Sequence, residues 1–478
     1  MSSRPNLVFV MSDDHAAHAI GAYGSTVNQT PQMDRLAAEG MRLDSTFCTN
    51  SICSPSRATI LTGAYSHVNG VRGIFETFDY RVNTFPQVLQ QAGYATALFG
   101  KWHLGVDAAN HPQGFDEWLI FPDQGQYHDP EMIGPGPDGL GERTVIEGYA
   151  TDIVTDLSLD WLSRVPADQP FCLLVHHKAP HRPWEPHPRH ADLYPLDTIP
   201  EPDTLFDAHD GRAAAVHTAR MTIADDLTVT DVKEECPPEL LGEEHRVERT
   251  RWFYQRYLRD YLQCIQAVDD SVGQILDALQ ARGVADDTVV VYTSDQGFFL
   301  GDHGWYDKRF MADESLRMPM LLRWPAVVAP GSQLTTSVTN VDFAATFLEI
   351  CGQPASALDA NQGRSFLPML RGEQPGDWDE SVYYRYWEHD DPSHHVWAHY
   401  GVRTPTHKLI CYYADGLGVK GASDEVYPTE WELFDLVADP AELVNVADDP
   451  AHAQVRAELT EQLARLQAQY RDEPYRPR

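Results

Sequence analysis

The sequence predicts an α/β fold: a large mixed, mainly parallel sheet flanked by helices, followed by a smaller C-terminal α+β unit with an antiparallel sheet and a closing helix. Three observations predict it. Short β-rich runs alternate with helical patterns over the N-terminal part of the chain, the signature of a parallel α/β sheet. Residues 252–282 carry a long amphipathic helix pattern. The composition turns loop-like at Gly372-Glu373-Gln374-Pro375-Gly376-Asp377, and strand patterns of a different kind follow. The larger unit is therefore expected over 1–375 and the smaller over 376–478.

The first strand is expected at 7–11, an uninterrupted apolar run. Residues 30–40 read as a helix capped by Thr30, opened by Pro31 and stopped by Gly40. Further helix and strand patterns lie at 84–91 and 95–99, and a third strand at 171–175. In the long helix Leu258, Leu262, Ile265, Val268, Val272, Ile275 and Leu279 share one face, and Gly283 ends it. Strands follow at 288–292 and 320–323. Between them and the third strand, 185–250 is rich in Pro, Asp, Glu and His with weak periodicity. Such a stretch is either a functional lid or poorly ordered. In the C-terminal unit, strands are expected at 382–387, 400–404 and 408–413. Val455, Leu459, Leu463 and Leu466 then form the stripe of a final helix. No internal repeat is evident.

Composition narrows the function. The chain has 478 residues and a formal charge of -35, from 71 acidic and 36 basic side chains. That field disfavours nucleic acid and anionic membrane surfaces, and an anionic substrate would need a local cluster of cations. The seven cysteines form no CxxC pair and no disulfide pattern. The apolar run at 7–11 is too short for a signal peptide, and no later run is long enough to span a bilayer, so a cytoplasmic location is expected.

The chemistry gathers at strand ends. The strand at 7–11 runs into Ser12-Asp13-Asp14-His15, and that at 95–99 into Gly100-Lys101-Trp102-His103. The strand at 171–175 leads to His176-His177-Lys178-Ala179-Pro180-His181, and that at 288–292 to Thr293-Ser294-Asp295-Gln296-Gly297. Open parallel sheets bind ligands at the carboxyl ends of their strands, so these clusters are expected to meet along one edge. Asp13, Asp14, Asp295 and Gln296 would offer oxygen donors suited to a hard cation, calcium or magnesium rather than zinc. Taken alone, Asp13-Asp14 reads equally well as a helix or turn cap.

The strongest signal is Cys53-Ser54-Pro55-Ser56-Arg57-Ala58-Thr59-Ile60-Leu61-Thr62-Gly63. Cys53 stands just before an expected helix start, where anions are favoured, and Arg57 adds a forked donor. A cysteine phosphatase needs five residues between Cys and Arg, and here there are three. The segment resembles the Cys-x-Pro-x-Arg hallmark of the type I sulfatases of the alkaline phosphatase superfamily. Pro5–Asp14, Gly100–Gly105, Ala179-Pro180-His181, Ser294–Gly297, Gly301-Asp302-His303-Gly304, Lys308 and Glu432–Leu436 match in the same order.

The resemblance implies an alkaline phosphatase-like fold and hydrolysis of organic sulfate esters. It implies that Cys53 is oxidised to formylglycine by a formylglycine-generating maturation enzyme. Asp13, Asp14, Asp295 and Gln296 would hold one calcium ion, magnesium being second choice, with residue 53 beside it. Gln296 departs from the family, where Asn or His is usual, and its extra methylene puts its reach in question. Arg57 would hold the hydrated aldehyde, Lys101, His181 and Lys308 the sulfate oxygens, and His103 would assist return of the aldehyde. The segment 394–400, rich in His and aromatics, resembles that of glycan-acting relatives, which favours a sulfated saccharide over a simple aryl sulfate. His395 and His399 there, with His303, are candidate substrate contacts, although sheet packing accounts for the aromatics equally well. The rival readings are a phosphonate monoester or phosphodiester hydrolase on the same nucleophile, and a non-catalytic protein that binds sulfated glycans.

Overall fold

The computed structural model describes residues 4–136 and 141–476; the expected units also include 1–3, 137–140 and 477–478, which lie outside the described residues. The strands, in chain order, are β1 (Asn6–Ser12), β2 (Met41–Phe47), β3 (Ala95–Lys101), β4 (Glu117–Phe121), β5 (Glu131–Gly134), β6 (Glu142–Val145), β7 (Phe171–His176), β8 (Thr288–Ser294), β9 (Phe299–Leu300), β10 (Tyr306–Asp307), β11 (Arg317–Arg323), β12 (Ser332–Leu334) and β13 (Val338–Thr339). All but β9 and β10, which form their own ribbon, build one sheet in the order β12-β2-β11-β8-β1-β7-β3-β4-β5-β6, with β13 also on β2. Its centre, from β8 through β1, β7 and β3 to β4, is parallel. The expected strand at 320–323 is the end of β11, which runs antiparallel between β8 and β2.

The parallel centre follows from sequence. A strand covered on both faces needs apolar side chains on both, and in β1 the run from Leu7 to Met11 is at most 1% exposed. Leu7, Phe9 and Met11 enter one core, with the helices Cys53–Thr62 and Phe343–Ile350. Val8 and Val10 enter the other, where the helix Arg246–Arg282 lays down Leu258, Leu262, Ile265, Val268, Val272, Ile275 and Leu279. That helix starts six residues before the expected 252. The helix Ala150–Arg164, absent from the sequence reading, packs beside it.

Residues 185–250 settle into a packed cover. Leu205, Ile223, Leu227 and Val232 are buried in the second core, Met221 is buried in the first, and Arg249 ties the segment down by donating to the backbone carbonyls of Ala224, Leu240 and Gly242. The second sheet begins at Val382. Its strands, β14 (Val382–Tyr386), β15 (His399–Arg403), β16 (His407–Tyr412) and β17 (Glu430–Asp435), pair antiparallel in chain order. The helix Ala453–Tyr470 covers them with Leu459, Leu463 and Leu466. Among the described residues no helix is long and apolar enough to cross a membrane.

One glycine fixes the geometry next to the strand ends. Gly100 sits at φ +105° in β3, and a Cβ there would collide with the backbone oxygen of its β7 partner His176. A left-handed conformation alone costs a side chain about 1–3 kcal/mol. Gly100→Ala is expected to lose at least about that much stability in urea denaturation; a variant as stable as the parent would show that β3 and β7 do not need this close approach.

Candidate active site

Four parallel strands deliver the polar clusters to one edge. Across β8, β1, β7 and β3 the register pairs Ser12 with Ser294, Met11 with His176, and Gly100 with His176, so the strands end almost level. Beyond them the chains stay tied: Asp295 N donates to Ser12 O at 3.2 Å, and Asp13 N to Ala179 O at 3.2 Å. Asp14 (φ 67°) and His103 (φ 56°) take left-handed backbone conformations there. Non-glycine residues hold such conformations where surrounding structure over-determines them, most often at functional sites.

The expected groups meet. Asp13, Asp14 and Asp295 are fully buried, as are Lys101 and, within 3%, Lys308 and Arg57. Lys101 donates to Asp13 and to Gln124, and Lys308 Nζ stands 2.8 Å from either oxygen of Asp14. Arg57 Nε donates to Asp295 Oδ2 at 2.9 Å and its Nη1 to Lys101 O at 2.7 Å. His181 Nε2 lies 3.8 Å from Asp14 Oδ2, and its Nδ1 is held 2.6 Å from Arg182 O.

Cys53 opens the helix Cys53–Thr62, all ten residues of which are buried. The residue before it, Ile52, supplies no side-chain cap, so the first turn keeps backbone N–H groups for an anion. Cys53 Sγ is 3.1 Å from His103 Nδ1. Burial pushes the thiol up to about 11, Lys101 and Lys308 only partly offsetting it. An unmodified Cys53 is thus a poor thiolate at neutral pH. Burial, with Lys101 beside it, holds His103 well below the usual histidine range, so its ring is neutral and can accept a proton.

The carboxylates respond to burial and to each other. Burial drives Asp13 upward, but Lys101, His181, Arg57 and Lys308 outweigh it and hold the group well below its ordinary value. Asp295 is pushed up to about 7 by burial and by Asp13. Asp14 is raised chiefly by burial, against the pull of Lys308.

A divalent cation fits these donors. Asp13 Oδ1 and Gln296 Oε1 are buried oxygens with no hydrogen-bond partner, and ligand atoms of Asp13, Asp14 and His181 lie within 4.8 Å of one another. Gln296 reaches this group: its Nε2 donates to Asp14 Oδ1 at 2.5 Å, which leaves Oε1 as the spare acceptor. An oxygen set of this kind suits calcium or magnesium.

Three sequence candidates do not join this group. His399 lies under the C-terminal sheet among Tyr384, Tyr386, Phe310 and Tyr412, where ring packing explains it. His395 (φ 51°) turns outward to Asp390 at 2.8 Å, its side chain 38% exposed. Its neighbour His394 turns inward instead, with Nε2 3.7 Å from Asp307 Oδ2 and 3.3 Å from guanidinium nitrogens of both Arg182 and Arg309. His303 pairs with Asp207 at 3.0 Å, not with the strand-end carboxylates.

Asp307, Arg309, Arg182, His394 and Gln124 also stand next to Lys308, His181 and Lys101, and the sequence motifs single out none of them. Asp307 and Arg309 flank Lys308, Arg182 follows His181, and of the His394-His395 pair it is His394 that faces inward. Adjacency to Lys308 and His181 was the available signal. The left-handed backbones at Asp307 (φ 76°) and Arg309 (φ 97°), which aim their side chains, leave no trace in sequence.

Residues 5–353 match the family model described as Sulfatase, about three quarters of the chain. The chain belongs to the sulfatase family. Residues 301–469 also match the model for the N-sulphoglucosamine sulphohydrolase C-terminal region. A relative from Bacteroides thetaiotaomicron described as N-acetylglucosamine-6-O-sulfatase is 40% identical over 512 residues, covering 98% of this chain and 88% of its own. A choline-sulfatase from Rhizobium meliloti is 27% identical, covering 96% and 85%. A solved structure of a protein in complex with its substrate D-glucosamine-2-N,6-O-disulfate superposes with a TM-score of 0.87 at 40% identity over 98% of both chains. The phosphonate monoester hydrolase of Agrobacterium radiobacter, at TM-score 0.75 and 20% identity over 98% and 96%, shares the fold. This sulfatase is an enzyme, a sulfuric ester hydrolase, and a type I member of the alkaline phosphatase superfamily.

Arg57 donates to the fully buried Asp295 and to Lys101 O, so its removal takes away two buried charge-assisted hydrogen bonds at once. Arg57→Ala is expected to destabilise the sulfatase by about 3–5 kcal/mol in equilibrium urea denaturation; a loss below about 1 kcal/mol, the range of exposed pairs, would contradict the buried pairing.

Proposed function

We propose that this sulfatase releases inorganic sulfate from a sulfated carbohydrate, with a 6-O-sulfated glucosamine unit as the preferred substrate. It does so with a formylglycine made from Cys53 by a maturation enzyme, and a calcium ion held by Asp13, Asp14, Asp295 and Gln296 beside residue 53. The observation that carries this reading is the meeting of Lys101, Lys308, His181, His103 and Arg57 around Cys53 and the strand-end carboxylates.

Charge counting supports an anionic substrate. Asp13, Asp14 and Asp295 balance Lys101, Lys308 and Arg57, so a divalent cation brings the site to a net +2 in an otherwise acidic protein. A formylglycine at residue 53 would supply a hydrated aldehyde whose paired hydroxyls suit acceptance of a sulfate and its later release. A calcium ion held by Asp13, Asp14, Asp295 and Gln296 would supply positive charge there. Lys101, Lys308 and His181 are placed to hold the sulfate oxygens, where charge develops during transfer. His103, neutral and 3.1 Å from the residue 53 side chain, is placed to take up or return a proton there. Arg57, one helical turn on, keeps a buried Nη2 without a partner, and that nitrogen would hold the modified side chain.

The wall beyond Lys308 supports a sugar over an aryl group. Asp307, Arg309 and His394 are buried, and Arg309 also reaches Glu388 at 3.2 Å. Such paired donors and acceptors suit hydroxyls, whereas an aryl ring calls for apolar surface. The 40% identical relative named for N-acetylglucosamine-6-O-sulfate and the disulfated glucosamine in the superposed complex point the same way.

Three outcomes are expected. N-acetylglucosamine-6-sulfate is turned over faster than an aryl sulfate or an aryl phosphonate; faster turnover of the phosphonate would overturn the reading. Cys53→Ala abolishes turnover, and peptide mass spectrometry of the active enzyme finds an aldehyde in place of the thiol at residue 53. Lys308→Ala lowers kcat/KM by roughly 10²–10³-fold, and chelation removes activity that added calcium restores.

A further inference from the structure

We infer that Asp207, His209 and His303 form a second metal site, of a kind suited to zinc, which ties the covering segment to the turn at 301–304. The three ligand atoms lie within 4.8 Å of one another. Asp207 Oδ2 stands 3.0 Å from His303 Nδ1 and 3.6 Å from His209 Nε2. Donors about 2.0 Å from a tetrahedral zinc are about 3.3 Å apart, so the spacing needs only small rotations to close on an ion. Two imidazoles and one carboxylate are a nitrogen-rich set, unlike the oxygen donors at the strand ends, and they favour zinc over calcium.

The surroundings orient each ligand as a metal site requires. Asp207 Oδ1 accepts from His209 N at 2.9 Å, which leaves Oδ2 to face both rings. His209 stacks on Trp305 at 4.7 Å between ring centroids, so its plane is held. Its Nε2 now sits 3.0 Å from His303 O, a contact that a slight turn of the ring exchanges for the ion.

The second, independent observation is behind His303. Its Nε2 and the Oε2 of Glu314 are both buried without a hydrogen-bond partner, and they face each other at 3.9 Å. A metal on Nδ1 fixes the tautomer with the proton on Nε2, aimed at Glu314. Carboxylate–histidine–metal relays of this form are the usual support of a metal-binding histidine. The ion has a way in, because Asp207, His209 and His303 line a surface cavity of about 390 Å³, and three protein ligands leave a fourth position to solvent.

The test titrates the folded chain with Zn²⁺ by calorimetry in excess Ca²⁺, which competes for the strand-end carboxylates. Wild type is expected to bind one zinc that His209→Ala weakens by more than about tenfold and Glu314→Gln by about 10–100-fold. Equal zinc binding by wild type and His209→Ala overturns the site. If His209→Ala does not fold, wild type with Co²⁺ decides: intense visible absorption of a tetrahedral ion supports the site, and only the pale spectrum of a six-coordinate ion overturns it.

Discussion

Burying three carboxylates at one point is the constraint around which this sulfatase is organised. Asp13, Asp14 and Asp295 have no access to water, and like charges at such depth cannot all ionise unless opposite charges are equally deep. Lys101, Lys308 and Arg57 provide those charges, each from a different element. Removing any of the six leaves a buried charge alone. The cluster is therefore costly to form and costly to break, which is why so much apolar structure surrounds it.

The sheet satisfies that requirement cheaply in geometry. Parallel strands in register end together, and each carries its polar residues just past its last apolar one. The apolar runs set where β1, β3, β7 and β8 stop, so they also set where Asp13, Lys101, the loop to His181, and Asp295 stand. Arg57 and Cys53 enter from the opposite side on a helix with no exposed residue. Three buried cations thus stand against three buried carboxylates inside a chain whose formal net charge is -35.

Much of this was legible from sequence, for a physical reason. Strands buried on both faces write continuous apolar runs, and the long helix writes a stripe from Leu258 to Leu279; both survive without knowledge of partners. Strands that bury one face less completely did not announce themselves. β2 carries Arg42 and Asp44, and β17 alternates Glu430 and Glu432 with Trp431 and Leu433, so polar side chains masked them. At the site, groups on strand ends were readable because their position follows from the strand. Asp307, Arg309 and His394 depend on left-handed turns and on which of two neighbouring histidines faces inward. His303 matched a motif, yet its partners come from the covering segment, whose weak periodicity hid the packing that Asp207 and His209 make.

The helix that begins at Cys53 has a bearing on the order of events in the cell. Its first side chain is 1% exposed, and two residues earlier Ser51 N donates to Tyr384 OH of β14. No second macromolecule could reach that side chain once the native state has closed over it. If residue 53 is converted to formylglycine, as proposed above, the catalyst that converts it would have to meet the chain before this burial is complete. Under that proposal folding speed and chemical maturation would compete, and a cell that folds this protein too quickly would accumulate well-formed but inert molecules.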